Sequence, residues 1–157
     1  MALVRSRSWV AAPSEEVFAF FDDPRNLGAL MPPPVSIRVL SIDPDPPRPG
    51  SIFTFSYGIG RLRRTWTVRL IERVEGVRFR DETLSGPLAR FVHTHAFESA
   101  SRGTWIVDEL DYHVGPDGTL GFALDLLAGA LMRATFVWRA FRQRRLLRRA
   151  APASEAG

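Results

Sequence analysis

FVHTHAFESASRGTWIVDELDYHV, residues 91–114, is the stretch whose reading decides the fold. It holds two segments of period-two alternation on either side of Ser101-Arg102-Gly103, which predicts an antiparallel hairpin. On 91–98 the alternation sets Phe91, His93, His95 and Phe97 on one face, with Val92, Thr94, Ala96 and Glu98 on the other. On 104–114 one face carries Thr104, Ile106, Asp108, Leu110 and Tyr112. The other carries Trp105, Val107, Glu109, Asp111 and His113, and its charged and titratable groups assign it to solvent. Directly opposed residues of an antiparallel pair share a face. A tight turn at Ser101-Arg102 therefore sets His95 opposite Asp108, His93 opposite Leu110 and Phe91 opposite Tyr112. The hairpin thus places a His–Asp pair in an otherwise apolar inner face.

Upstream, the same alternation runs through 51–57, 62–74 and 77–83, divided by Gly58-Ile-Gly60, Glu75-Gly76 and Ser85-Gly86-Pro87. It turns Phe53, Phe55 and Tyr57 inward, then Trp66, Val68 and Leu70, then Phe79 and Asp81. A strand over 35–42 precedes these, and Leu3–Val10 has the composition of a first strand. Between them, Pro13-Ser14-Glu15-Glu16 opens a short helix that Ser14 can cap, with Val17, Phe18 and Phe21 on its apolar side. Asp23-Pro24-Arg25-Asn26 starts another, which Pro32-Pro33-Pro34 stops. After Gly115-Pro116-Asp117-Gly118, residues 119–147 carry Leu120, Leu124, Leu127, Leu131, Ala134, Trp138 and Phe141 at steps of four and three. That spacing predicts one long amphipathic helix with this stripe against the sheet. The fold class is α+β: a curved, seven-stranded antiparallel sheet in the order β-α-α-β6-α, wrapped on a C-terminal helix around an internal cavity. One domain over 1–149 and a frayed tail over 150–157 are expected.

Composition supports one soluble domain, because 157 residues with 45% hydrophobic and 24% charged content can bury a core without staples. The absence of cysteine excludes disulfides and thiolate chemistry. All 21 basic residues are arginine, which reads as compositional bias rather than a phosphate-binding surface. Acids lie beside them through most of the chain, as in Arg69-Leu-Ile-Glu72-Arg73, which reads as a mixed solvated face, so no nucleic-acid partner is expected. The start, MALVRSRSWVAAPSEE, lacks the apolar run of a secretory signal, and no later stretch reads as a membrane span. A cytoplasmic location is expected.

Element order and several stretches together resemble the START-like, helix-grip superfamily of polyketide cyclases and dehydrases, pollen-allergen-type carriers and coenzyme-Q-binding proteins. The stretches are Ala12-Pro-Ser-Glu-Glu-Val-Phe18, Phe79-Arg-Asp81 through Gly86-Pro87 to Phe91–Glu98, Gly103-Thr104 to Asp108 and Tyr112, and Gly118-Thr-Leu-Gly121. The resemblance spans nearly the whole chain. It implies a cavity for a small hydrophobic molecule, such as a lipid, an isoprenoid or quinone, or a polyketide-like aromatic, with no cofactor.

The expected ligand wall consists of the inward residues of the sheet: Phe53, Phe55, Tyr57, Trp66, Val68, Phe79, Asp81, Phe91, His93, His95, Phe97, Ile106, Asp108, Leu110 and Tyr112. Leu127, Leu131 and Trp138 complete it from the helix. His95 with Asp108 is either a proton-transfer pair, with Tyr112 as a third candidate catalytic group, or a hydrogen bond tying two strands together. His93-x-His95 has chelate spacing but needs Asp81 or Asp108 as a further ligand, and no metal site is expected. Arg133, Arg139, Arg142, Arg144, Arg145, Arg148 and Arg149 form a basic helix end. It either docks on anionic lipid or simply complements the helix dipole. Three functions stay open: a carrier, an enzyme resembling aromatase/cyclases, and an interaction module with an occluded interior.

Overall fold

Each expected strand forms, with ends shifted by a residue or two. The computed structural model describes residues 2–115 and 118–148; the expected tail over 150–157 and Arg149 of the basic helix end lie outside them. The strands are β1 (Ala2–Val10), β2 (Val35–Asp43), β3 (Ile52–Ile59), β4 (Leu62–Val74), β5 (Arg78–Ser85), β6 (Arg90–Ala100) and β7 (Gly103–His113). The helices are α1 (Ser14–Asp22), α2 (Leu27–Leu30) and α3 (Thr119–Leu147), with a 3-10 turn over Pro24–Asn26. One antiparallel sheet runs β1-β7-β6-β5-β4-β3-β2.

The β6–β7 register pairs Phe91 with Tyr112, His93 with Leu110 and His95 with Asp108, as the alternation predicts. Bulges interrupt β2–β3 between Val39 and Ser41, and β4–β5 between Thr67 and Val68 and between Leu70 and Glu72. Each bulge bends its strand and adds twist, which curls the sheet. The β3–β4 turn needs glycine at Gly58, where φ is 153° and a Cβ would stand 1.9 Å from the Leu62 carbonyl oxygen. The convex face is tied by ion pairs such as Arg5–Glu109 at 2.8 Å and Arg90–Asp111 at 3.3 Å. Ser14 does not cap α1 but is its first residue, and its hydroxyl accepts a hydrogen bond from Ser99 at 2.8 Å.

The helix α3 corrects the sequence reading. Its length stands, but the face toward the sheet is Gly121, Asp125, Gly129, Phe136, Arg139, Gln143 and Leu147. The expected stripe faces out: Leu120 is 65% exposed, Leu127 70%, Leu131 69% and Phe141 51%. Hydrogen bonds decide the orientation. Asp125 accepts from the Val114 backbone N–H at 2.8 Å, the Tyr112 hydroxyl donates to the Asp125 carbonyl at 2.7 Å, and Ser8 donates to Gln143 at 2.9 Å. Leaving those buried groups unpaired costs about 1–3 kcal/mol each, comparable to burying a leucine. The reading that no stretch could span a membrane is also corrected: α3 is long and apolar enough, with little of it buried.

Candidate functional site

Sheet curvature and the tilt of α3 toward β1 leave a cavity of about 370 Å³ between them. The interior is therefore not occluded, and the packed-core alternative falls. Its wall is Phe53, Phe55 and Tyr57 from β3, Trp66, Val68 and Leu70 from β4, and Phe79, Phe91 and Leu110 beyond them. The α2 segment contributes Leu27, Leu30 and Met31, the β5–β6 loop Pro87 and Leu88, and α3 Ala128, Leu131, Met132, Thr135 and Phe136. Trp66 packs edge-on against Phe91 at 5.2 Å, and its indole N–H donates to Thr83 at 2.9 Å.

Six of the expected wall residues lie elsewhere. Phe97 and Ile106 are buried in the core beside α1, where the Phe97 ring meets Phe18 at 5.6 Å and Phe21 at 5.5 Å. Asp108 sits behind the histidines. Tyr112 turns its hydroxyl to the α3 backbone rather than into the cavity, which removes it as a proton donor to a guest. Leu127 is on the outer face of α3, and Trp138 packs against Phe141 at 6.2 Å instead of lining the cavity. Both follow from the reversed face of the helix.

One polar cluster interrupts the apolar wall. His93 Nε2 lies 3.1 Å from Asp108 Oδ1, and His95 Nδ1 lies 2.8 Å from the same oxygen but out of line for a hydrogen bond. A nitrogen so close to a carboxylate carries the proton, so neutral His95 presents Nε2 toward Asp81, 3.8 Å from its Oδ2. Burial and the neighbouring His95 push His93 down to about 4, and burial pushes His95 down as well. Burial would raise Asp108, but the hydrogen bond with His93 and the close approach of His95 Nδ1 hold it well below the usual carboxylate range. Asp81, with no such donor, is pushed up by burial to about 6. At neutral pH the imidazoles are therefore uncharged and weakly basic, and Asp108 is their anionic anchor.

Arg139 is the residue that the sequence reading missed, having been grouped with the basic helix end. It is only 6% exposed, lines the cavity, and stands with its guanidinium carbon 5.4 Å from the Phe136 ring and 5.9 Å from that of Phe21. The signal was available: Asp125, Gly129, Arg139, Gln143 and Leu147 recur at helical spacing, a small and polar stripe opposite the apolar one. The donor atoms of Asp81, His93 and His95 gather within 4.8 Å of one another, a separation that suits a cation. The positive charge of Arg139 acts on that cluster and opposes one.

Comparison with known proteins follows the same lines. The profile of the family described as polyketide cyclase/dehydrase and lipid transport matches residues 10–140. No curated protein matches the sequence. Among solved structures, TTHA0849 from Thermus thermophilus superposes with a TM-score of 0.72 at 21% identity, covering 96% of this chain and 99% of that one. CV1439 from Chromobacterium violaceum gives 0.70 at 18% identity, over 94% and 98% of the two chains. The di-domain ARO/CYC StfQ of the steffimycin biosynthetic pathway gives 0.74 at 11% identity, covering 95% of this chain and 51% of that one. At such identities the likeness is one of fold.

Proposed function

Because the chain belongs to the polyketide cyclase/dehydrase and lipid transport family, we propose that it is a carrier of a small hydrophobic molecule held between sheet and α3. The observation that supports this most is the cavity itself: about 370 Å³ of space, walled mainly by aromatic and aliphatic side chains. Proton-transfer chemistry is the weaker reading. His93 and His95 are neutral and committed to Asp108, and a base with a pKa near 4 is poorly matched to work at neutral pH.

Exchange of such a guest calls for an apolar surface beside the mouth, and Leu131 both lines the cavity and faces out. The outer face of α3 continues from it and ends in Arg144, Arg145 and Arg148, with Arg145 over the Phe141 ring at 5.5 Å. An anionic bilayer surface is the partner that this combination fits.

The carrier reading is tested by native mass spectrometry of the purified protein, followed by thermal denaturation with fatty acids, quinones and polycyclic phenols. A ligand at a hundred times its Kd stabilises by about 2.7 kcal/mol, which for a domain of this size raises Tm by about 5–10 °C. No retained mass and no shift with any class would remove the reading.

A further inference from the structure

We propose that the guest carries a carboxylate and that Arg139 receives it, at the end of the cavity where the polar cluster lies. The inference rests on the carrier reading and adds to it the chemistry of the ligand's head.

A buried guanidinium normally has a carboxylate against it, since an unpaired charge in such a place costs several kcal/mol. Arg139 has none: its Nε is buried without a hydrogen-bond partner, and among the described residues no carboxylate lies within ion-pair distance of it. Apart from Asp81, the acids that line the cavity or face the cluster are already engaged. Asp22 makes a two-pronged pair with Arg73, at 2.8 Å for each contact. Asp23 accepts from the Arg25 backbone at 2.9 Å, and Asp108 is held by His93 and His95. The Phe21 and Phe136 rings flank the guanidinium at 5.9 and 5.4 Å, so the cavity side is the direction left for an anion. Arginine suits that role, because its fork matches the two oxygens of a carboxylate.

Asp81 completes the head site. It lines the same cavity, and the charged or titratable groups around it are His93 and His95 on β6, Asp108 on β7 and Arg139 on α3. In its protonated form Asp81 donates a hydrogen bond to an incoming carboxylate; in its ionised form it repels one. Binding an acid therefore takes up a proton at Asp81, and affinity for the acid falls as pH rises above about 6.

The experiment is calorimetric titration with matched pairs, 2-naphthoate against methyl 2-naphthoate and decanoate against 1-decanol, using wild type, Arg139→Leu and Arg139→Lys. Wild type is expected to bind each acid at least about tenfold more tightly than its neutral partner, with the preference shrinking from pH 6 to pH 8. Arg139→Leu loses that preference while keeping its affinity for the neutral partners, which also shows an intact cavity; Arg139→Lys keeps part of it. Equal affinity for acid and neutral partner in wild type overturns the carboxylate and leaves the carrier standing. A preference that survives in Arg139→Leu overturns the role of Arg139. If no member of either pair binds wild type, the carrier reading falls too. Should Arg139→Leu fail to fold, the wild-type pairs and Arg139→Lys decide alone.

Discussion

Asp81 and His93 stand opposite each other in the β5–β6 register and depart from their ordinary pKa values in opposite directions. His93, lowered from 6.5 to about 4, contributes stability that is complete above pH 6.5 and is lost as pH falls toward 4. Asp81, raised from 3.8 to about 6, contributes stability that is complete below pH 3.8 and is lost as pH rises through 6. Between pH 4 and 6 the two slopes oppose each other, each amounting to at most about 3 kcal/mol. Asp81→Asn removes only the falling slope. Its stability should therefore rise more steeply from pH 4 to 6 than that of wild type, as read by urea denaturation at several pH values. Parallel profiles for the two proteins would show that Asp81 is not a displaced acid. The His95–Asp108 pairing was legible as parity of alternation, whereas the unequal titration of two aspartates on one wall depends on which one the imidazoles reach.

Between elements, the close approach of α3 to β7 is set at Gly129. A Cβ there would stand 2.4 Å from the Tyr112 hydroxyl, which donates to Asp125 in the same helix. On a solvent face, Gly→Ala would favour a helix by about 1 kcal/mol. Here the methyl displaces the hydroxyl, so Gly129→Ala is expected to destabilise by about 1–2 kcal/mol. In a Tyr112→Phe background the cost should shrink or change sign, since the clashing oxygen is gone; an unchanged cost would place the strain elsewhere. The strands were readable because one face of each is apolar and the other charged, a difference that alternation carries directly. The helix was readable in extent but not in orientation. Leucines and phenylalanines occur around much of its circumference, and the side that docks is chosen by Asp125, Gln143 and a gap at Gly129. Hydropathy counts those residues as exposed.

At the scale of the whole molecule, the reversed helix changes what the protein presents to its surroundings. The cavity could be expected from the curvature of the sheet, but its mouth could not, because the mouth depends on which side of α3 faces in. With the polar side inward, Leu120, Phe122, Leu126, Leu127, Val137 and Phe141 lie exposed along one helix. A patch of that kind marks an interaction surface rather than ordinary scatter. The arginines at its end favour a negatively charged partner, at about 1 kcal/mol for each one brought to an anionic membrane. Sedimentation with vesicles of phosphatidylglycerol and phosphatidylcholine should therefore exceed sedimentation with phosphatidylcholine alone. Replacing Arg144, Arg145 and Arg148 together by glutamine should weaken binding to the anionic vesicles about a hundredfold. Leu127→Asp, at a side chain that is 70% exposed and does not line the cavity, should abolish binding without altering the melting temperature. If the protein instead forms a dimer that Leu127→Asp dissociates, and binds neither kind of vesicle, the outer face of α3 belongs to a second copy of the chain and not to a membrane.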